Sequence, residues 1–116
     1  MATKKPLERR NLDEMWKGWF VGAFEPTVLS THDVEVGVKT YTAGDYEPLH
    51  HHRIATEITL IVSGSAEMDG EVFKAGEIVV IPPGRAVDFR VLQDTVTVVV
   101  KLPGASNDKY EGELGD

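Results

Sequence analysis

The chain has 116 residues, of which 41% are hydrophobic, and this is enough for one small domain with a single packed core. It contains no cysteine, which excludes disulfides, zinc fingers and thiol nucleophiles. The formal net charge of −7 argues against a nucleic-acid partner. Because no apolar run reaches membrane-spanning length and no secretory hydrophobic segment opens the sequence, we expect a cytoplasmic protein with no membrane partner.

The first elements along the chain are predicted to be a leader and a short helix. Residues 1–10 are polar and carry a small basic cluster, which is typical of a flexible leader. Asn11 to Glu14 has the pattern of a capping box. This pattern predicts one or two helical turns that continue to Lys17 and end at Gly18.

The densest aromatic group follows this helix. Its members are Trp16, Trp19, Phe20 and Phe24. We expect them to form a dimer seam or a layer that covers a sheet, and we keep the lining of a ligand pocket as the less favoured alternative. The apolar strand that contains them predicts a homodimer.

After Gly18 the helical period disappears, and from residue 33 onward short β-strands are predicted. They cover residues 33–42, the histidine segment, 57–62, 66–68, 71–73, 78–81, 87–92 and 95–102. Asp69-Gly70 predicts a two-residue hairpin turn. Roughly nine short strands separated by turns predict an all-β sandwich or barrel. We expect the tail, residues 104–116, to be strand-free, although Tyr110 and Leu114 could dock on the body or on a second subunit.

The candidate site lies in the segment His50-His51-His52 and at Glu57. On an extended strand, residues two positions apart point to the same face, so His50 and His52 should share one space and His51 should face away from it. Glu57 would add a carboxylate. Two imidazoles and a carboxylate suit Zn, Fe, Ni, Cu or Mn. An imidazole can also act as a general base near neutral pH without any metal.

The stretch from Gly44 to Gly64 resembles the first motif of the cupins. That motif is a glycine, five residues, His-x-His, four residues, Glu, six residues and a glycine, and every position of it is present here.

The second cupin motif is only partly present. Gly76, Pro82 and Gly84 match it, but Val87 stands where the family has a histidine and Val91 where it has an asparagine. The resemblance spans about residues 33–102 and implies a cupin-type double-stranded β-helix, a jelly-roll barrel formed by residues 11–103 that includes the short N-terminal helix.

In cupins the motif residues bind one divalent metal, so the resemblance implies His50, His52 and Glu57 as metal ligands and catalytic residues. The missing fourth ligand would weaken or remove that metal, whether Zn, Fe, Ni or Mn. A one-residue bulge could turn Asp88 inward as a substitute. We favour the simpler alternation, in which Asp88 faces outward while Val87 and Phe89 face the barrel interior.

The resemblance implies a pocket for a small-molecule ligand. Candidate contacts are Tyr41, Arg53, Val87 and Phe89, and Arg53 and Arg85 would suit an anionic ligand best. We expect a metal-dependent isomerase or lyase that acts on a sugar or keto-acid derivative. Two alternatives stay open. One is a non-catalytic binding or sensing protein with a degraded metal site, and the other is a dioxygenase of the non-haem iron type.

Overall fold

The computed structural model describes residues 3–115; the first two residues of the predicted leader and the last residue of the predicted tail lie outside the described part. The described residues form one 3₁₀ turn and ten strands. The turn is Leu12–Glu14, and the strands are β1 (Trp19–Val21), β2 (Glu35–Tyr41), β3 (Tyr46–His51), β4 (Thr56–Ser63), β5 (Ser65–Met68), β6 (Glu71–Lys74), β7 (Ile78–Ile81), β8 (Val87–Val91), β9 (Thr95–Leu102) and β10 (Tyr110–Glu111). No helix between residues 3 and 115 has the length and apolar character that crossing a membrane requires.

The predicted capping box is present, but the helix behind it is shorter than expected. The Asn11 side chain accepts a hydrogen bond from the Asp13 backbone N–H, and the Asn11 N–H donates to Glu14. The turn ends at Glu14 because Met15 is already extended. The chain then docks on β2, where the Val38 N–H donates to the Gly18 carbonyl at 3.0 Å. The short helix predicted through Lys17 is therefore a single 3₁₀ turn that ends three residues earlier.

The strands form two five-stranded sheets in which every pairing is antiparallel. The first sheet has the order β1-β2-β9-β4-β7 and the second the order β10-β3-β8-β5-β6. From β2 to β9 the chain alternates between the two sheets, except that β5 and β6 form a hairpin within the second sheet. This is a jelly-roll arrangement, and it confirms the predicted all-β double-stranded β-helix.

The C-terminal segment differs from its prediction. Tyr110 pairs with His51 and Glu111 with His50, so that β10 extends the second sheet at its edge. The tail is thus not strand-free, because its backbone satisfies the edge of β3.

The turns and the core follow the sequence pattern closely. Asp69 and Gly70 adopt φ values of 53° and 78°, the left-handed pair that a two-residue hairpin turn needs, and they join β5 to β6. A hydrophobic core lies between the sheets. Its buried members are Ala66, Met68, Ile81, Phe89 and Val91.

The first sheet has two different faces. On β4, Glu57 and Thr59 point between the sheets, whereas Ile58 and Leu60 alternate with them and point outward. The outward side chains are apolar on neighbouring strands as well, and Val80 on β7 is 60% exposed. The interior therefore receives the polar side chains that build the candidate site.

Candidate active site in the barrel cavity

A cavity of about 380 Å³ opens between the two sheets. This volume lies within the range of about 300–1,000 Å³ that is usual for small-molecule sites. Side chains of both sheets and of both terminal segments line it. They include Trp16, Lys17, Trp19, Lys39, Tyr41, Glu47, His50, His52, Glu57, Thr59, Val87, Phe89, Thr97, Lys101 and Lys109. All three predicted ligand residues therefore meet in one cavity.

His50 and His52 stand side by side at the end of β3. Both are buried, and their ring centroids are 5.6 Å apart with an interplanar angle of 83°. The pairing of β3 with β8 shifts register between Glu47 and His50, so that His50 lies opposite Val87. His51 is also buried, but it lies outside the cavity lining and its ring stacks on Tyr110. The alternation that predicted one inward pair and one bystander holds.

Backbone carbonyls orient the two cavity histidines. The Nδ1 atom of His50 lies 2.9 Å from the Pro48 carbonyl, and the Nδ1 atom of His52 lies 2.6 Å from the Asp108 carbonyl. Because a carbonyl oxygen only accepts, each Nδ1 must carry the proton and donate it. In the neutral ring the Nε2 atom then carries the free lone pair, which is the form that binds a metal or accepts a proton.

Glu57 faces the free nitrogen of His52. The distance between His52 Nε2 and Glu57 Oε1 is 3.5 Å, and Nε2 is buried with no hydrogen-bond partner among the described residues. A lone pair facing a carboxylate oxygen in a buried site is unfavourable unless a proton or a cation lies between them. The pair thus forms a site for a positive charge.

The surroundings keep Glu57 ionised and His50 neutral. Burial alone would raise the pKa of Glu57, but His52, helped by Lys101 and His50, outweighs burial and holds this pKa below its usual value. Burial lowers the pKa of His50, although the Pro48 carbonyl and Glu57 act in the opposite direction. A deprotonated carboxylate and a neutral imidazole are the protonation states that a cation site requires.

The donor set fits a borderline divalent metal such as Zn, Fe, Ni or Mn in its chemistry, with the two Nε2 atoms and one carboxylate as donors. Between residues 3 and 115, however, no three His, Cys, Asp or Glu side chains are already arranged to hold one ion. The structure therefore shows the His52–Glu57 pair with His50 beside it, and not a finished three-ligand site.

The remaining motif residues divide between the cavity and the outer surface. Val87 and Phe89 line the cavity, as predicted from alternation. Asp88 points the other way, where its carboxylate accepts a hydrogen bond from the Asp69 backbone N–H at 3.2 Å. Asp88 is therefore not the substitute for the missing fourth ligand.

Tyr41 lines the cavity, but the two arginines considered for ligand binding lie elsewhere. The Tyr41 hydroxyl donates to Glu47 Oε1 at 3.0 Å, and burial together with Glu47 raises the pKa of Tyr41 so that it stays protonated. Arg53 lies over the Tyr110 ring at 3.8 Å and is missing from the described lining residues. Arg85 pairs with Asp69 on the surface.

The C-terminal segment contributes a residue that the sequence reasoning missed. The Asp108 carboxylate is 5% exposed and accepts hydrogen bonds from the backbone N–H groups of Arg53, Ile54 and Ala55 at 2.9–3.2 Å. Burial opposes the ionisation of Asp108, but these hydrogen bonds outweigh the effect of burial, so the pKa of Asp108 is lowered. This anchor holds the carbonyl that orients His52. An aspartate at position 108 gives no local signal, since its partners are more than fifty residues away.

Two of the four N-terminal aromatic residues, Trp16 and Trp19, line the cavity, which is the alternative that the sequence reasoning ranked lower. Trp19 also covers Gly37 of β2, as expected for a residue that covers a sheet. Four lysines line the cavity with these two residues, and none of these lysines was predicted. They are Lys17, Lys39, Lys101 and Lys109. In the sequence, Lys39 and Lys101 look like ordinary solvent-exposed strand residues, because their local sequence pattern does not indicate that they face the interior.

Comparison with models of protein families finds no match for this sequence, and comparison with curated proteins finds none either. Comparison with solved structures does find relatives in shape. The chain is similar to DMSP lyase DddQ from Ruegeria pomeroyi DSS-3, with a TM-score of 0.68 and 21% identity over 84% of this chain. The match covers 52% of the lyase, so this chain spans about half of its length.

Two further structures match chains of more similar size. An uncharacterised conserved protein with a double-stranded β-helix domain from Klebsiella pneumoniae has a TM-score of 0.67 and 23% identity, and the match covers 97% of this chain and 98% of that one. KdgF from Halomonas sp. has a TM-score of 0.60 and 21% identity, covering 66% and 76%. At these identities the matches establish the fold. The protein has the fold of a small cupin, with a polar cavity inside the barrel.

Proposed function

We propose that this protein is a cupin-fold enzyme that takes a small sugar or keto-acid derivative into the barrel cavity and acts on it by lyase or isomerase chemistry. The single observation that carries the proposal is the buried, unpartnered Nε2 of His52 facing Glu57 inside a cavity of metabolite size. A buried polar atom without a partner is costly, and such atoms concentrate at functional sites. The similarity in fold to a DMSP lyase supports lyase chemistry among the possible reactions.

In this proposal His50, His52 and Glu57 hold one divalent metal, which would polarise a carbonyl or carboxylate of the substrate when bound. Tyr41 and Glu47 lie in the same cavity and are joined by a hydrogen bond. In this scheme Glu47 would accept the proton from the carbon next to the polarised group, and the C–H electron pair would then form a double bond. In elimination the leaving group departs with its bonding pair; in isomerisation the proton returns to a neighbouring carbon.

Tyr41 has a separate role in this scheme. Because its raised pKa keeps the hydroxyl protonated, Tyr41 donates a hydrogen bond to Glu47 and so orients that side chain. Val87, Phe89 and the aromatic rings near the mouth exclude water from the reacting atoms.

Metal analysis of protein purified without an affinity tag tests the proposal. We expect about one equivalent of metal in the wild type and a loss of more than about tenfold in metal affinity in the variants His50→Ala, His52→Ala and Glu57→Gln. The matched control is His32→Ala, which removes the exposed histidine outside the cavity. Metal content that His50→Ala and His52→Ala leave unchanged would contradict the site as proposed.

Turnover is tested separately, by proton NMR of sugar acids and keto acids incubated with the loaded enzyme. New vinyl signals indicate elimination, and deuterium uptake from heavy water indicates the proton transfer of an isomerase. Oxygen consumption by an iron-loaded sample, with neither of these signals, would point to the dioxygenase alternative instead.

A second function is favoured by one specific observation, the presence of Val87 in the cavity opposite His50. An apolar side chain at the position of the fourth cupin ligand suits a cavity that binds a ligand without converting it. For such a binding or sensing protein we expect a ligand-induced rise in melting temperature with no product formed.

We also propose that the protein is a homodimer that buries the apolar outer face of the first sheet. Ile78 and Val80, on the edge strand β7 of this sheet, are 62% and 60% exposed. Exposed apolar side chains that adjoin one another are typical of an interaction surface. Light scattering should give twice the chain mass of 12.8 kDa, and Val80→Lys should lower it. Val72→Lys, at a 47% exposed position of the second sheet, is the control. A monomeric mass for the wild type would contradict the dimer.

A further inference from the structure

The residues that line the cavity carry more positive than negative charge, although the chain as a whole is acidic. Four lysines line the cavity, at positions 17, 39, 101 and 109, and they face only two carboxylates, Glu47 and Glu57. The chain as a whole has a formal net charge of −7. Low-dielectric walls focus the positive electrostatic potential of these lysines in the cavity. The cavity can therefore attract anions although the protein as a whole is acidic.

Two of these lysines lie around one aromatic ring. Lys39 Nζ is 5.5 Å and Lys101 Nζ is 4.9 Å from the centroid of the Trp19 ring. Their strands β2 and β9 are neighbours, and both side chains point into the barrel. Among residues 3–115 neither lysine forms an ion pair within 4 Å with a carboxylate, and Lys39 Nζ donates a hydrogen bond to the Lys17 carbonyl at 3.1 Å. Burial lowers the pKa of Lys39, and Lys17, Lys101 and Lys109 add repulsion against the attraction of Glu47.

A third feature of the cavity wall is a hydroxyl group without a hydrogen-bond partner in the described part of the chain. Thr97 lines the cavity on β9, its side chain is fully buried, and its Oγ1 has no hydrogen-bond partner among the described residues. A hydroxyl can donate to a ligand oxygen and accept from a ligand hydroxyl. The lysines, the Trp19 face and this hydroxyl therefore offer charge, a stacking surface and a hydrogen bond to one small molecule.

We infer that the ligand of this cavity carries a negatively charged oxygen group, bound by Lys39 and Lys101 beside the Trp19 ring, while the rest of the molecule extends towards His52 and Glu57. This inference rests on the proposed function for the reacting end of the ligand. Lysine binds such groups as a point charge without the fixed fork of arginine, so that carboxylates and phosphates share this chemistry.

Quenching of tryptophan fluorescence tests the charge without knowledge of the ligand. The chain has two tryptophans and both line the cavity, so its intrinsic fluorescence reports on this site. We expect the ratio of iodide to caesium quenching at low ionic strength to exceed the ratio for free N-acetyltryptophanamide, against the direction set by the net charge of −7. Acrylamide, which is neutral, measures how accessible the rings are.

Lysine variants then connect this preference to particular side chains. Lys39→Gln and Lys101→Gln should each reduce the ratio of iodide to acrylamide quenching by roughly half. Lys74→Gln, at an exposed position on β6 of the second sheet, should leave the ratio unchanged. A wild-type ratio of iodide to caesium quenching no higher than that of free N-acetyltryptophanamide, or an equal change in all three variants, would overturn the inference.

Binding of three probes that share one sugar ring identifies the anion. Calorimetry should show that glucuronate or glucose 6-phosphate binds at least about tenfold more tightly than glucose, and that Lys101→Gln removes this difference. Preference for glucuronate assigns a carboxylate and preference for glucose 6-phosphate assigns a phosphate. Equal affinity for all three, or binding of none, contradicts an anion site.

Metal content measured on the same samples separates this inference from the proposed function. A lost iodide preference with the metal retained overturns the anion site alone. An iodide preference retained in a protein that binds no metal overturns the metal enzyme alone.

Discussion

The barrel strands and the two terminal segments both supply cavity residues, but they position them by different means. His50, Glu57 and Val87 lie on strands whose antiparallel pairing fixes their direction through many backbone hydrogen bonds. The terminal segments, residues 11–19 and 104–112, depend on a few contacts. A residue on a ladder should therefore tolerate substitution without moving its neighbours, whereas one anchor in a terminal segment can displace a whole side of the cavity.

Substitution of Asp108 should have the largest effect, and it tests the difference between the strands and the terminal segments. Asp108→Ala leaves the backbone N–H groups of residues 53–55 without their acceptor, next to the carbonyl that orients His52. We expect the free energy of unfolding to fall by about 3 kcal/mol, measured by urea denaturation. Metal affinity should fall by at least about tenfold, because His52 loses the group that orients it.

The control for this substitution is Asp94→Ala. Asp94 accepts one backbone hydrogen bond, from Ala43 at 2.9 Å, so its removal should cost about 1 kcal/mol. If Asp108→Ala costs no more than Asp94→Ala and leaves metal binding unchanged, the C-terminal segment is not the anchor that the contrast requires.

The same contrast explains what could be predicted from the sequence. The strands, the Asp69-Gly70 turn and the inward direction of His50 and His52 follow from period-two alternation and turn chemistry, which are local. The contacts of Asp108 with residues 53–55 span more than fifty positions and leave no periodic signal. Strand β10 was missed for the same reason, since two residues are too few for a pattern.

The aromatic cluster shows a second limit. Composition and spacing predicted that Trp16 and Trp19 would be packed, but not against which surface; Trp19 packs on β2, whereas Trp16 stays 64% exposed. The surface is set by Gly37 on β2, which lies opposite Trp19 and leaves room for its ring. Which surface Trp19 covers depends on how the edge of the first sheet is packed, and local sequence patterns do not predict this.

Substitution of Gly37 is the second test, and it concerns how the N-terminal segment is held against the strands. A Cβ atom at position 37 would lie 2.7 Å from Trp19 Cε3, so Gly37→Ala must displace the ring. We expect a loss of about 2 kcal/mol in the free energy of unfolding and a red shift of the tryptophan emission. Thr40→Ala, at an exposed position of the same strand, should stay within about 0.5 kcal/mol. Unchanged emission in Gly37→Ala would show that Trp19 does not depend on this contact.

Substitution of Val87 should have the smallest effect, and it tests how the strands position the cavity residues. Its backbone lies opposite His50 and its side chain lines the cavity, so Val87→His would add a third imidazole without moving either strand. We expect metal affinity to rise by about tenfold, measured by competition with a chelator, while the free energy of unfolding of the metal-free protein changes little.

Asp88→His is the matched control, because it places the same side chain one position along β8 and on the opposite face. It should leave metal affinity unchanged. Equal affinities for Val87→His and Asp88→His would mean that no ion lies between His50, His52 and Glu57, even though the ladder brings all three into one cavity. A gain confined to Val87→His would show that the strands alone hold a cation site in register, and that the terminal segments adjust the site without creating it.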